Sequence, residues 1–284
     1  MTTADVAISV GRPRPSLVSR MLAFAGRHVL SVYSLLFFAY LMLPIAVVIA
    51  FSFNHPAGRF NYTWQGFTFD NWRDWNAVPG LIDAFKLSLE IALIASVLAT
   101  ALGTLIALAL VRYGFRGRGS TNLLVFLPLS TPEIVLGASL LTLFLNITFV
   151  PIGFWTILIA HVMFCISFAV VTVKARLIGF DRHIEEAAMD LGANEWTTFR
   201  KVTLPLSAPA ILAALLLCFA ISIDDFVVTY FNAGNRVTFP IFVWGAARVA
   251  TPPQINVIGT VIFVVAVTAM LANVIYQRRR EVRA

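Results

Sequence analysis

Charged residues are scarce in this sequence. Lys, Arg, Asp and Glu make up 12% of the 284 residues, 59% are hydrophobic, and the mean hydropathy is +0.85. A chain with so few charges cannot cover itself with a surface suited to water. The composition therefore excludes a soluble enzyme and makes lipid the expected surroundings of most of the chain.

Cysteine is also rare. Cys165 and Cys218 are the only two, and both lie within apolar runs without a CxxC or cysteine–histidine spacing. Neither a disulfide framework nor a metal site is indicated, so we expect both to be packing residues. The four histidines likewise show no metal-ligand spacing.

Long apolar runs are abundant instead. A helix needs about 20 residues to cross a hydrocarbon core of roughly 30 Å. Six runs meet this length, and the sequence predicts an all-α, polytopic membrane protein with six transmembrane helices. The predicted spans are about residues 29–53, 86–111, 123–145, 154–173, 206–231 and 257–276.

The basic residues are distributed unevenly between the loops. Sixteen of the 21 Lys and Arg fall in the two termini and in alternate loops, together with seven of the 14 acids, which gives this side a net charge of +9. The positive-inside rule then places both termini and residues 174–205 in the cytoplasm. The spans and outer loops keep a net charge of −2. The basic pI therefore indicates topology rather than binding of nucleic acid.

Three regions follow from this topology. Residues 1–28 form a cytoplasmic N-terminal tail, in which residues 16–27 suit a short interfacial helix and a disordered tail is an equal alternative up to Pro15. Residues 29–276 form the six-helix transmembrane domain, and residues 277–284 form a basic cytoplasmic tail.

The polar segment 181–205, between the fourth and fifth spans, predicts a helix–turn–helix at the inner membrane surface. Asp181 can cap a first helix, Gly192 can end it, and Asn194 can cap a second. Pro205 disfavours helix at Leu204 before the fifth span begins. An apolar stripe at i, i+3, i+4, i+7 spacing runs along the first helix: Ile184, Ala187, Ala188 and Leu191. Periodicity alone leaves open a linker whose stripe rests on lipid headgroups.

The exact residues of this segment favour a functional helix–turn–helix over a linker that rests on lipid. Glu186-Ala187-Ala188, three residues, Gly192, nine residues, and then Val202-x-Leu204-Pro205 follow one another. This order resembles the EAA motif (EAA-x3-G-x9-I-x-L-P) of the membrane subunits of bacterial ABC importers, with Val in place of Ile. The resemblance implies the type I importer (MetI-like) permease fold. It also implies an ATPase-coupling role for six residues: Glu186, Ala187, Ala188, Gly192, Leu204 and Pro205.

The family resemblance also implies partners. A Gly-x-x-x-x-Gly-Lys-Ser/Thr loop does not occur, because residues 114–119 lack the lysine and a preceding strand. The chain is therefore expected to contain no catalytic site and no cofactor, while ATP and Mg²⁺ bind in a separate cytoplasmic ATPase dimer. A sister permease, giving a heterodimer, and an extracytoplasmic substrate-binding protein complete the expected assembly.

Three further stretches point to a subfamily. Residues 127–137, 222–231 and 253–260 look like segments of the PotC/PotI-type permeases of spermidine/putrescine importers, and the likeness extends over residues 66–276. The resemblance implies uptake of polyamines, by alternating access driven by the partner ATPase.

Acidic residues within the spans suit a cationic solute. Glu133 lies ten residues past Leu123, about 15 Å along a helix and so near the bilayer midplane. A carboxylate there costs about 2.5 kcal/mol or more unless it faces water, a partner or a substrate. Pro132, just before Glu133, is expected to kink or open the helix and so to free a backbone carbonyl toward the pathway. Asp224 and Asp225 lie toward the outer half of the fifth span, and adjacent helical residues diverge by about 100°. We expect one of the two to line the pathway, with Asp225 favoured.

Other interpretations remain open at this stage. Tyr230 can offer its ring to an ammonium group or serve in packing. Glu133, Asp224 and Asp225 can each be structural. The permease can carry another small solute, such as an opine, an aminoalkylphosphonate or an iron chelate. An ion-coupled secondary transporter using the same acids is a more distant alternative, because it leaves the EAA-like segment unexplained.

Overall fold

The computed structural model describes residues 17–147 and 149–281, with the side chains of 17–27, 273 and 276–281 left undescribed. The predicted tails therefore lie mostly outside the described residues. The described chain is helical, and its only β-type pairings are two isolated bridges, Asn54 with Phe67 and Phe60 with Thr251.

Twelve α-helices and one π-helical segment follow one another along the described chain. They are α1 (Leu17–Phe51), α2 (Asp70–Arg73), α3 (Leu81–Arg112), α4 (Arg118–Ser130), α5 (Glu133–Asn146), α6 (Phe154–Ile178), α7 (His183–Asp190), α8 (Glu195–Thr198), the π segment (Phe199–Thr203), α9 (Leu204–Asp224), α10 (Val227–Asn232), α11 (Phe239–Val249) and α12 (Pro253–Glu281). The helix predicted over residues 16–27 is continuous with the first span.

Five helical stretches of the described chain are long and apolar enough to cross a membrane: His28–Phe51, Leu81–Arg112, Phe154–Ile178, Glu195–Asp224 and Pro253–Ala272. α4 and α5 pass the same test only as a pair, and the chain bends by 111° between them; taken as one broken span, they give six. Counted in this way, the six predicted transmembrane segments are all present, and the third of them is broken.

The break in the third span has a local cause. A proline disfavours the helical conformation in the residue before it, and Thr131, which precedes Pro132, is extended with φ −83° and ψ 131°. The carbonyl oxygen of Leu127 accepts the N–H of Thr131 at 3.1 Å and also Thr131 Oγ1 at 2.7 Å, so the last turn of α4 is closed by hydrogen bonds from Thr131. Glu133 then becomes the first residue of α5, so its predicted depth on one straight helix does not hold.

The fifth span begins earlier than the sequence suggests. The prediction that Pro205 interrupts the helix at Leu204 is wrong, because helix continues from Glu195 to Asp224. The π segment explains the difference. Its wider turn lets the N–H of Leu204 bond to the carbonyl of Phe199, five residues earlier, and the proline then lies in the first turn of α9, where a missing N–H costs little.

The described residues group into two compact units. The first contains α1, residues 61–73 and most of α12. In it, the ring of Phe53 packs against the rings of Phe67, Phe69 and Trp72, at centroid distances of 5.4, 5.5 and 5.3 Å. Buried Asn54 accepts a hydrogen bond from the N–H of Gln65 at 2.8 Å. The aromatic residues of 67–72 are thus folded onto the end of α1.

The second unit contains α3 to α11 and has its core between α3, α6 and α9. Small residues let these helices approach closely, as is common where helices pack inside a membrane. At Gly103 an added Cβ would lie only 2.6 Å from the Cβ of Ala169. Cys165 and Cys218 are free and buried at the same core, each with its Sγ near the other's carbonyl oxygen.

Candidate coupling segment and solute-pathway residues

The segment 181–205 folds into the two predicted helical turns. Asp181 Oδ1 accepts from the N–H of His183 at 3.0 Å, and α7 follows. Gly192 has φ +90°, a left-handed conformation that favours glycine. Its N–H bonds to the Met189 carbonyl at 2.9 Å, and the next N–H bonds to the Ala188 carbonyl at 3.1 Å. These two bonds form a Schellman C-cap, which confirms the predicted stop.

The second turn is capped as predicted. Asn194 Oδ1 accepts from the N–H of Thr197 at 2.8 Å and so satisfies one of the free donors at the start of α8. From this cap, helix runs without interruption through the π segment into the fifth span. The end of the proposed coupling segment and the span are therefore one element.

The motif residues of the segment are mostly on its surface. The side chain of Glu186 is 58% exposed and lies 3.1 Å from His183 Nδ1. Ala187, Gly192, Leu204 and Pro205 are exposed, and Ala188 is half-buried. Leu191, at the end of the predicted stripe, is 90% exposed. The exposed surface of α7 thus combines apolar residues with the carboxylates of Glu186 and Asp190, which lie one turn apart.

Glu185, the neighbour of Glu186, was not among the predicted site residues, and its side chain faces the interior of the chain. Glu185 is largely buried, and its Oε1 accepts from Arg112 Nη2 at 2.8 Å and from Thr203 Oγ1 at 2.6 Å. These partners belong to the end of α3 and to the π segment. The doubled glutamate was the available signal, because two adjacent acids on one helix cannot both face the same side.

Glu133 is exposed at the first turn of α5. The N-terminus of a helix carries a partial positive charge and unpaired N–H groups, which stabilise a carboxylate there. The helix break at Pro132 therefore gives this acid a partner within its own backbone. Among residues 17–147 and 149–281, no side chain forms an ion pair with Glu133.

Asp224 and Asp225 take different positions. Asp224 is exposed at the end of α9. The side chain of Asp225 is 8% exposed, and its Oδ2 accepts from both the N–H and the Oγ1 of Thr229, each at 2.7 Å. Asp225 thus holds the first turn of α10. The predicted division between one exposed and one packed acid is present, but Asp224 is the exposed one.

His161, in the middle of α6, completes the surroundings of Asp225. Its side chain is 2% exposed, with Nε2 at 2.8 Å from Thr229 Oγ1 and 3.4 Å from Asp225 Oδ2, and Nδ1 at 2.7 Å from Ser222 Oγ. Since Thr229 donates its one hydroxyl proton to Asp225, we infer that Nε2 carries a proton and donates to Thr229. The sequence held a signal here, because ionisable residues are rare within spans.

The helices that carry these acids are packed together. Asn232, at the end of α10, donates from Nδ2 to the Gly137 carbonyl in α5 at 3.3 Å. An added Cβ at Gly137 would lie 2.8 Å from Phe231, so the two helices touch. Tyr230 is 56% exposed, with its ring centroid 5.4 Å from that of Phe226. Among the described residues, no three His, Cys, Asp or Glu side chains are grouped to hold a metal ion.

The described chain thus combines five apolar helical spans and one bent helix pair with a capped amphipathic segment that continues into the span Glu195–Asp224. Residues 99–281 match the family described as the binding-protein-dependent transport system inner membrane component, and the chain belongs to this family. It is a membrane permease subunit of an ABC importer.

Particular relatives are similar over most of the chain. It is 38% identical over 246 residues to the spermidine/putrescine transport system permease protein PotC of Escherichia coli K12, covering 85% of this chain and 90% of PotC. It is 37% identical over 235 residues to the putrescine transport system permease protein PotI of the same strain, covering 80% and 83%.

The fold is also found among solved structures. A bacterial ABC transporter involved in the import of the acidic polysaccharide alginate superposes with a TM-score of 0.63 at 18% identity, covering 94% of this chain and 99% of that one. At this identity the likeness concerns the fold alone.

Proposed function

We propose that this permease imports polyamines such as spermidine and putrescine. The observation that carries the proposal is the identity of 38% over 246 residues with a spermidine/putrescine permease. The chemistry of the exposed residues agrees with it. Glu133 and Asp224 offer carboxylates to ammonium groups, and the exposed ring of Tyr230 offers a cation–π surface.

The proposal includes the arrangement of the complex. A sister permease pairs with this chain as a heterodimer, and an extracytoplasmic binding protein delivers the solute. A cytoplasmic ATPase dimer binds ATP and Mg²⁺, and this chain contributes no cofactor site. Both termini and α7 face the cytoplasm, as the excess of basic residues in those segments favours.

The coupling segment docks on the ATPase in this arrangement. The outward face of α7 combines exposed Ala187 with Leu191, and small residues allow a partner to approach closely. Glu186 adds one exposed carboxylate that can pair with a basic group. Docking at this face transmits ATP-driven closure to the spans, provided that each ligand favours one conformation.

A substitution at Gly192 tests the docking role. An added side chain at this position meets no atom within 4 Å, so the space is open toward a partner, while φ +90° strains it. Gly192→Asp is expected to abolish uptake of labelled putrescine by membrane vesicles while insertion, followed by immunoblot of washed membranes, is unchanged. Gly117→Asp is the matched control, because Gly117 is also open and exposed and has a left-handed φ of +92°, so it carries the same backbone strain outside the docking face. Unchanged uptake in the Gly192 variant would contradict the coupling role.

The solute is tested on the partner binding protein. Calorimetric titration with spermidine and putrescine is expected to show binding, and uptake through the assembled importer is expected to be competed by both. Glu133→Gln and Asp224→Asn should lower uptake without lowering the amount of complex. Binding of an anionic ligand instead would overturn the polyamine assignment and leave the permease assignment in place. An opine or an iron chelate as the ligand would have the same effect.

A further inference from the structure

The first turn of α7 is attached to the end of α3 by two arginines. Arg112 is the last residue of α3, and its Nη2 donates to Glu185 Oε1 at 2.8 Å. Arg182, just before α7, donates from Nη2 to the carbonyl oxygen of Val111 at 2.9 Å. Carbonyls at a helix C-terminus lack partners in their own helix and carry partial negative charge, so arginine is a favourable partner there.

The same carboxylate oxygen also reaches the fifth span. Thr203 Oγ1 donates to Glu185 Oε1 at 2.6 Å, and Thr203 is the residue immediately before α9. Three elements, the start of α7, the end of α3 and the start of α9, therefore meet at one oxygen. We call Arg112, Glu185 and Thr203 the Glu185 clamp.

The clamp is shielded from solvent. The side chains of Arg112 and Glu185 are 13% and 15% exposed, and the guanidinium of Arg112 lies 5.5 Å from the centroid of the Phe180 ring. Charge-assisted hydrogen bonds in such surroundings are about twice as strong as neutral ones. Removing one partner leaves the other charge poorly solvated, which is costly. Breaking this contact therefore costs more free energy than breaking an exposed surface ion pair.

The segment needs such a contact, since α7 has eight residues and isolated helices of fewer than about 12 are marginal in water. Without the clamp, α7 is attached through the chain on either side of it, and a displacement reaches α9 through the turn at Gly192. With the clamp, the displacement also reaches α3, the helix that packs against both α6 and α9.

We propose that Glu185 is a positioning residue that links the coupling segment to α3 and α9 together, so that movement of α7 shifts both spans as one body. This inference rests on the proposed docking of α7 on an ATPase. It assigns to the ion pair of Glu185 with Arg112 a role distinct from that of Glu186, which is exposed on the docking face.

The test uses the complete importer, with sister permease, ATPase and binding protein, in proteoliposomes. Uptake of labelled putrescine and ATP hydrolysis are measured in the same vesicles for Arg112→Gln, Glu185→Gln and the reciprocal pair Arg112→Glu with Glu185→Arg. Both single variants are expected to assemble and hydrolyse ATP, but to move roughly fivefold less solute per ATP, the lower end of usual coupling between sites. The reciprocal pair should recover most of the ratio. Arg116→Gln, an exposed arginine in the following loop, should behave as the wild type.

An unchanged ratio in both single variants would overturn the proposal. So would failure of the reciprocal pair to exceed the single variants, because the residues would then matter for folding alone. A wild-type complex that assembles but transports no polyamine would contradict the proposed solute instead. In that case stimulation of ATP hydrolysis by the added binding protein, without polyamine, is the readout, and the single variants must lose it if the clamp couples the spans.

Discussion

At the scale of single residues, the acidic residues fall into two groups: some are exposed, and others accept hydrogen bonds that stabilise the fold. Glu133 and Asp224 are exposed, whereas Glu185 and Asp225 accept hydrogen bonds from neighbouring elements. Glu185 and Glu186 differ because consecutive helical residues point about 100° apart, so one of the two acids turns inward and has to find donors there. Asp225 differs from Asp224 because it follows the end of α9 in an extended conformation and accepts the N–H of Thr229 in α10.

His161 is expected to matter for stability through Asp225. His161→Leu leaves a buried carboxylate without its imidazole and should lower the free energy of unfolding by about 3 kcal/mol. Asp225→Asn keeps an acceptor for the N–H of Thr229 and should cost less. Thermal unfolding in detergent, with Asp224→Asn as a control on an exposed neighbour, measures both. A histidine variant as stable as the wild type would show that the pair contributes nothing to the fold.

At the scale of elements, close approach of α3 and α6 is the feature that fixes the core. Gly103 faces Ala169 so closely that even a methyl group would lie 2.6 Å from the neighbouring Cβ and 3.1 Å from the backbone nitrogen of Val170. Backbone atoms cannot move aside as a flexible side chain can. The two helices therefore depend on a missing side chain at this crossing.

Gly103→Ala is expected to destabilise the protein by about 1–3 kcal/mol, the usual cost of overpacking a core. Combining it with Ala169→Gly removes the nearest obstacle and should restore part of the loss. Gly245→Ala in α11 serves as the control, because an added Cβ there meets nothing within 4 Å. Unfolding midpoints in detergent test all three. Equal midpoints for Gly103→Ala and the wild type would show that the helices can separate freely.

The sequence predicted elements better than their interruptions. Apolar runs gave the number of spans, and Asp181, Gly192 and Asn194 gave the ends of the coupling helices, because these signals depend on local chemistry. The bend of 111° at Pro132 agrees with the kink expected there, whereas the continuous helix through Pro205 does not agree with the interruption expected at Leu204. The presence of a proline does not by itself distinguish the two outcomes. A helix can end there or absorb the missing N–H in a wider turn, and packing decides between the two.

The candidate site was predicted less completely. The exposed motif residues were recognisable, since their spacing is distinctive. The partners of Asp225 and Glu185 were not, because His161 and Arg112 lie 64 and 73 positions away along the chain. Such distant pairs depend on how helices pack, and single-sequence periodicity carries no information on that.

At the scale of the whole molecule, the orientation in the membrane is the property that the proposed function requires most. Cys165 and Cys218 are both fully buried, so the natural chain offers no accessible thiol in the described part. A membrane-impermeant maleimide is therefore expected to report only introduced cysteines. Arg116→Cys should be labelled in inside-out vesicles, and Tyr62→Cys in intact spheroplasts.

The opposite labelling pattern would place α7 outside the cell and contradict the proposed contact with an ATPase. The wild-type protein, treated in the same way, gives the background. Labelling of the wild type would show that the core between α6 and α9 opens under the conditions used.

The uninterrupted helix from Glu195 to Asp224 joins the coupling segment and the fifth span into one long element. It is 30 residues long, and at 1.5 Å per residue it measures about 45 Å. A tilt of about 5° about one end of such a helix displaces the other end by about 4 Å. Asp224 and the capped turn beside Gly192 lie near opposite ends of this one helix. If α7 docks on an ATPase as proposed, a small rotation at that end therefore shifts the exposed carboxylate of Asp224 by several ångströms.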